Sequence, residues 1–305
     1  VTHLAPATVE RLVSEALAIQ EEDARKAGTL GYMARGMVQA TMPHRKTAET
    51  LHERRNGNYF LSMSATRSDI GLPFGSVPRL LLAWIGAETM RTGEPELILG
   101  DSMSAFLAEL GLNRTGGRWG DVTRLKDQSR RLFSCSISCS YTVPDERDEL
   151  PAPFGIGHAS LWWNPKSPDQ SSIFRSTLTL SDRFYREITE HPVPVDMRAL
   201  KALKRSPLAL DVYAWLVWRV FTLNRADRSV TLIPWEGLQM QFGSSYAMTG
   251  QGCRDFKRAF LRELQKVKAF YPEASTEPTA AGLQLSASPE HIASRPSRRP
   301  HLVSG

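Results

Sequence analysis

The chain has 305 residues, of which 41% are hydrophobic and 23% charged. That is the balance of an ordinary soluble protein with a real core, large enough for one to three domains, and two is the natural division. The formal charge of +6 and the pI of about 9.3 carry the sign suited to a nucleic-acid or other anionic partner. Residues 7–27 are expected to form a charged amphipathic helix. The following "MPHRKTAETLHERRNGN" is basic, polar and expected to be irregular, with His44 and His52 at the surface, so that residues 1–60 form an accessory segment. Val1, His3, Pro6 and Glu10 show no signal-peptide pattern. With three cysteines, an odd number, a reducing cytoplasm is the expected setting.

Residues 78–141 open with "PRLLLAWIGAETMRTG", a helix with Pro78 at its start and Gly93 at its end. "ELILGD" follows as a short strand. "SMSAFLAELGL" is a second helix, stopped by Gly111. "GGRWGDVTRLKDQSRRLF" supplies a third helix, and "SCSISCSYTV" alternates as a strand. Cys135 and Cys139 share one face of that strand. Zinc would need two more ligands at close spacing, which no His or Cys supplies, so both read as small buried hydrophobes. An acidic, Pro- and Gly-rich loop, "VPDERDELPAPFGIG", separates this strand from an expected partner at Ala159 to Trp163. "IFRSTLTLS" is one more strand, and "DRFYREITEHPVPVD" links onward.

Residues 207–288 repeat the order. "PLALDVYAWLVWRVFTL" is a helix, "SVTLIP" a strand, "WEGLQMQFG" and "GQGCRDFKRAFLRELQKVKAFYP" two helices, and "AGLQLSAS" a closing strand. Trp84 aligns with Trp215, Gly111 with Gly243, Gly120 with Gly252 and Leu132 with Leu264, at a nearly constant offset. A shared offset in a shared order points to a duplicated module. The run Leu208 to Leu223 contains Asp211 and Arg219 and falls short of the ~20 residues a bilayer needs, so it reads as a core helix. The tryptophans, Trp84, Trp215 and Trp218 on helices and Trp162 and Trp163 on a strand, are expected to pack in cores. The tail "SRPSRRPHLVSG" is basic, broken by prolines and expected to be disordered.

Helix, strand, helix, helix, hairpin is the order of a winged helix, a helix-turn-helix variant whose last helix lies in the major groove. The expected fold class is therefore α+β, with two tandem winged-helix domains at 61–181 and 182–290 and a tail at 291–305. In the first module the wing would be built from Cys135 to Thr142 and Ala159 to Trp163. On its third helix Val122, Leu125, Leu132 and Phe133 share the buried face, opposite Thr123, Arg124, Asp127, Arg130 and Arg131. On the second module's third helix the buried stripe is Cys253, Phe256, Phe260, Leu264 and Val267. Opposite lie Gln251, Asp255, Arg258 and Arg262, with Arg254 and Gln265 at the border. Arginine reaches guanine O6 and N7 in bidentate fashion and glutamine does the same for adenine, so such faces suit base edges. An exposed helix face is usually charged in any case; the case for DNA rests on two such faces at matching positions.

Nucleotide chemistry is disfavoured. No Gly-Lys pair of a phosphate-binding loop occurs, nor a GxGxxG between strand and helix, nor HExxH, nor GxSxG. Gly116 and Gly117 are explained as a turn that frees the third helix to start at its own angle. Its first N–H groups could hold a DNA phosphate, flanked by Arg118 and Trp119. No cofactor, metal or catalytic residue is expected.

The strings "GLPFGSVPRLLLAWIGAETMRTGEPELILGDSMSAFLAELGL" and "TGGRWGDVTRLKDQSRRLFSCSISCSY" resemble the RepA C-terminal family of bacterial plasmid replication initiators. So do "SPLALDVYAWLVWRV", "IPWEGLQMQFG", "FKRAFLRELQKV", and, upstream, "ATMPHR" and "RRNGNYFLSM". The resemblance spans roughly residues 38–292. It implies a non-enzymatic, theta-type initiator that binds directly repeated origin sites (iterons), helps melt an A+T-rich segment and supports helicase loading. It also implies a monomer–dimer equilibrium that limits copy number, and contacts with a host initiator and helicase. On this reading Gln251, Arg254, Asp255, Arg258 and Arg262 would read the major groove, while Arg118, Arg124, Arg130 and Arg131 contact a neighbouring groove or backbone. Asp127 and Asp255 are expected to order a nearby arginine. A tandem winged-helix transcriptional regulator or autorepressor is the alternative.

Overall fold

The computed structural model describes residues 6–20, 23–117, 120–141, 152–162, 169 and 176–292, apart from the side chains of 6–10, 18 and 20. Arg118, Trp119, residues 142–151, Trp163 and the tail from 293 onward lie outside the described residues. The chain begins with α1 (Pro6–Gln20), β1 (Leu30–Ala34), α2 (Arg35–Gln39) and a hairpin of β2 (Leu51–Asn56) and β3 (Tyr59–Ala65). It continues with α3 (Ser76–Thr92), β4 (Glu96–Ile98), α4 (Met103–Glu109), α5 (Asp121–Phe133) and β5 (Cys135–Tyr141). Short strands β6 (Phe154–Gly155), β7 (Gly157–Ser160) and β8 (Thr177–Leu180) follow. Then come α6 (Asp182–Glu190), β9 (Pro192–Asp196), α7 (Met197–Leu203), α8 (Pro207–Arg225), β10 (Val230–Pro234) and α9 (Trp235–Phe242). The last elements are α10 (Gly250–Phe270), β11 (Thr276–Pro278) and β12 (Gly282–Ser286). Helices and small antiparallel sheets mix throughout, the α+β class.

One order of elements runs twice. Helix, strand, short helix, long helix, strand, helix, helix, strand describes α1 to β5, apart from the inserted β2–β3 hairpin, and describes α6 to β11 again, with β12 added at the end. The repetition thus reaches further upstream than residue 78, and the stretch 182–196 is a helix and a strand rather than a bare linker. Local chemistry sets the boundaries. Gly75 and Gly93 take positive φ at the two ends of α3, and the Gly93 N–H donates to Thr89 O. Ser102, Ser181, Ser206 and Thr249 accept a backbone N–H at the starts of α4, α6, α8 and α10.

The glycine landmarks acquire a physical meaning. A Cβ on Gly120 would overlap the carbonyl oxygen of Thr115, and a Cβ on Gly252 that of Ala247, five residues back in both cases. The chain folds tightly onto itself at the entry to both third helices, where only glycine fits. Aromatic packing also recurs: Trp84 meets Phe106 edge-on at 4.8 Å, and Trp215 meets Phe242 edge-on at 5.5 Å.

The second half's sheet has the order β10-β12-β11, a strand joined to a hairpin. The first half departs from expectation. β5 does not form a wing with the strand near Ala159. It pairs with β3 along its whole length, Tyr59 opposite Tyr141 and Ala65 opposite Cys135, in the sheet β2-β3-β5-β6. β7 instead joins β8 in the sheet β4-β8-β7. The reason lies in β3, whose alternation buries Tyr59, Leu61 and Met63 and offers β5 a seven-residue partner. Cys135 and Ile137 bury on β5. Burial pushes the Cys135 thiol up to about 12 and that of Cys139 to about 11, so neither is a ready thiolate.

Residues 42–58, expected to be irregular, hold strand β2, and both histidines there are inside. His52 is buried with Nε2 2.9 Å from Thr41 O, and His44 Nε2 lies 2.7 Å from Asp211 Oδ2. Trp162 is exposed rather than packed. The two halves join through β1 and β9, antiparallel with Leu30 opposite Asp196, and through a charged seam. Arg79 on α3, 2% exposed, forks onto Asp211 of α8 with Nε and Nη2 each at 2.7 Å. The same guanidinium donates to Met42 O and Gly75 O. The hairpin reaches the other half through Arg54 Nη1, which donates to Met240 O at 3.1 Å.

Candidate nucleic-acid interface

α10 is built to present one face. Phe256, Phe260, Leu264 and Val267 are buried, with Phe260 set among Trp215, Trp235 and Phe242. Each buried aromatic contributes about 1.5–3 kcal/mol, which fixes the rotation of the helix about its axis. That rotation turns Gln251, Arg254, Arg258 and Arg262 outward, all exposed, with Asp255 half-buried among them. Cys253, expected in the buried stripe, is only half-buried.

The outward side chains are linked before any ligand arrives. Arg254 donates to Gln251 Oε1 (Nη2 2.8 Å, Nε 3.2 Å), and Gln251 Nε2 donates to Asp255 Oδ1 at 3.0 Å. Arg258 Nη1 lies 3.5 Å from the same carboxylate oxygen. Asp255 thus orders its neighbours, the role expected of it. Arg258 keeps 65% of its side chain exposed, and such loose surface pairs are worth little and yield readily. Arg262 leans on the buried Glu263 at 3.0 Å, with 45% exposed. Glu263 is held below the usual carboxylate range: burial opposes this, but bonds from Lys266, Ser206 and Arg262 outweigh it.

Between α10 and β11 runs a groove of about 600 Å³ whose lining includes Arg254, Arg258, Arg262 and Lys268 over a floor of Leu261 and Pro278, and no carboxylate. Sequence reasoning does not pick out Lys268 or Lys257. Lys268 follows Arg254 by close to four helical turns on α10 and is legible from that spacing. Lys257 is not: its Nζ sits 4.5 Å from the Trp235 ring centre and donates to Thr279 O, a tertiary arrangement.

α5 is less uniform. Val122, Leu125 and Leu132 are buried as expected, and Phe133 is half-buried. Arg130 is exposed. Arg124, half exposed, pairs with Asp121 at 2.9 Å. Arg131 turns inward, contrary to its expected outward place. Only 12% of its side chain is exposed, with Nε 2.8 Å from Asp127 Oδ2 and the guanidinium 5.4 Å from the Phe74 ring centre. Phe74 lies in the loop before α3, and its aromatic face draws the cation in. Asp127 holds Arg131 as Asp255 holds Arg258. Arg118 lies outside the described residues.

Among the described residues no group of three or more His, Cys, Asp or Glu could hold a metal ion. No helix there is long and apolar enough to cross a membrane.

No curated protein matches the sequence. A crystal structure of domains 2 and 3 of RctB, as selenomethionine derivative, is similar in fold: TM-score 0.50 and 11% identity, over 84% of this chain and 96% of that one. A second crystal structure of RctB domains 2–3 aligns with a TM-score of 0.44 at 11% identity, over 84% of this chain and 99% of that one. Residues 72–237, from the loop before α3 into α9, match the family described as plasmid encoded RepA protein. A match over more than half of the chain, which takes in α3 to α5 and all of α8, settles the family: the chain is a member of the plasmid-encoded RepA proteins.

Proposed function

We propose that the protein initiates plasmid replication by binding double-stranded origin DNA, with α10 as the helix that reads the major groove. The observation that carries this reading is the outward ladder of Arg254, Arg258 and Arg262 beside a groove free of carboxylates. In this reading each run of helix, strand, helix, helix, strand acts as a winged helix, β11–β12 being the second wing. α5 makes the second contact through Arg124 and Arg130. Arg131 is withdrawn from the contact because Asp127 and Phe74 hold it. Two reading helices on one chain allow an asymmetric, directly repeated site to be read without a palindrome, since successive turns of DNA lie about 34 Å apart. Family membership supports the remaining elements: repeated iteron sites, opening of A+T-rich DNA, helicase loading with host proteins, self-association that limits copy number, a cytoplasmic setting and no catalytic step.

Footprinting on the DNA that flanks the gene defines the repeat, and binding is then compared on repeat and random duplexes at several salt concentrations. Arg258→Ala is expected to lose about 1–3 kcal/mol, roughly 5- to 150-fold, at one base pair, with random duplex little affected. Arg124→Ala is expected to weaken all duplexes alike and flatten the salt slope by about one. Normal repeat binding by Arg258→Ala would remove α10 from the reading role.

A further inference from the structure

A cleft of about 1130 Å³ lies where the two halves meet, walled by α1, the start of α3, the start of α5 and α7. Four of its cations are already engaged. Arg11 pairs with Glu15 at 2.6 Å, Arg124 with Asp121 at 2.9 Å and Arg198 with Asp196 at 2.7 Å, and Lys204 donates to Gly111 O. Among the described residues Glu15 and Asp121 are the carboxylates in the lining, and both are engaged in these pairs. Arg45, Lys46, Lys201 and Arg205 also line the cleft, and none of them forms an ion pair among the described residues. Two come from the loop after β1–α2 and two from the region of α7, so both halves contribute.

Four cations without ion pairs on one cleft repel one another, and a polyvalent anion held there relieves this. The net charge of +6 for the whole chain shows how concentrated this excess is. Lys201 is the most enclosed of the four: burial is the main cause that pushes its ammonium below the ordinary lysine value, with Glu109 opposing and the Lys204 charge assisting. Arginine forks and lysine point charges together suit phosphate oxygens.

We propose that this cleft binds a run of successive phosphates held between the two halves, supplied either by a DNA strand or by a free polyphosphate. The DNA source rests on the proposed function; the free polyphosphate source does not. In either case Lys46 and Arg205 grip it from opposite halves.

The test uses the full chain and the double variant Lys46→Ala/Arg205→Ala. Both side chains are without ion pairs and Arg205 and Lys46 are exposed, so melting in phosphate-free buffer should match that of wild type. The charge-matched control is Arg225→Ala/Arg228→Ala at the far end of α8, about 27 Å along the helix from the cleft. One arm measures the rise in melting temperature with inorganic tripolyphosphate. The other measures the salt slope of binding to a random duplex. A rise that the cleft variant loses and the control keeps identifies a free polyphosphate. A salt slope flattened by about two in the cleft variant alone identifies a DNA strand. A cleft variant indistinguishable from the control in both arms overturns the proposal. An unchanged slope and an unchanged tripolyphosphate response, together with repeat selectivity lost in Arg258→Ala, would sink the cleft and leave the reading helix standing. A chain that tripolyphosphate stabilises through the cleft but that binds no duplex would do the reverse.

Discussion

Breaking the charged seam between the halves should cost more than any single surface change, and its pH dependence should identify the partner removed. Arg79 and Asp211 are both buried and joined by two bonds of 2.7 Å, and His44 closes the group at 2.7 Å on Asp211 Oδ2. Burial alone would raise the Asp211 carboxyl, but the Arg79 charge and the bonds from His44 and Arg79 outweigh it and hold the carboxyl below its ordinary value. Asp211→Asn leaves Arg79 charged with no counter-ion in the interior, a loss of about 3–5 kcal/mol. With a urea dependence of about 3 kcal/mol/M, the unfolding midpoint should fall by about 1–1.7 M. Arg79→Met is damaging in a different way. Asp211 keeps His44; burial is the main cause that holds the imidazole below its ordinary value, and the Arg79 charge that adds to it is gone. The imidazole can then take up a proton and replace the missing charge. As pH falls from about 8 to about 6, through the ordinary histidine value, the gap between Arg79→Met and wild type should narrow. The gap for Asp211→Asn should not narrow, because His44 there has lost its anion. In a double-mutant cycle Arg79→Met/Asp211→Asn should cost less than the sum of the single changes by about 2 kcal/mol or more. Urea titrations at several pH values give all these quantities. A coupling energy near zero, or gaps for the two single variants that run in parallel with pH, would refute the account of the seam.

His52 makes the protein acid-sensitive at a defined place. Burial is the main cause that lowers it to about 4, with the bond to Thr41 O opposing and Arg54 assisting. The unfolded chain therefore binds a proton that the folded one refuses, and stability is lost as pH falls from about 6.5 towards 4, by about 3 kcal/mol in all. His52→Gln should show a smaller drop in urea midpoint between neutral pH and pH about 5; an unchanged drop would place the sensitivity elsewhere. The glycines offer a matched pair. Gly252→Ala should destabilise by about 1–3 kcal/mol or more, because its Cβ overlaps the Ala247 carbonyl. Gly237→Ala, inside α9 with nothing within 4 Å of its Cβ, should stabilise by about 0.5–1 kcal/mol. Melting temperatures that move in the same direction for both would contradict the tight entry to α10.

The sequence by itself determined what local chemistry dictates. The helices from α3 to α5 and from α8 to α10 follow from apolar spacing, capping residues and terminating glycines, and the face that α10 presents follows from the spacing of Phe256, Phe260, Leu264 and Val267. The offset shared by Gly120 and Gly252 marked a real backbone constraint before its cause was visible. Strand partners were not legible, because an alternating strand fixes which side chains face inward but not which neighbour supplies its hydrogen bonds. β5 therefore joined the hairpin at 51–65 and not the strand near Ala159. His44, His52 and Arg131 look like surface residues in a polar stretch. Asp211 draws His44 inward and Phe74 draws in Arg131, both partners far away in sequence, while His52 is buried with Nε2 on Thr41 O. Charge near charge in space is a property of the folded chain, so the cationic cleft, drawn from α1, α5, α7 and the loop at Arg45, existed only once tertiary packing had brought those four segments together.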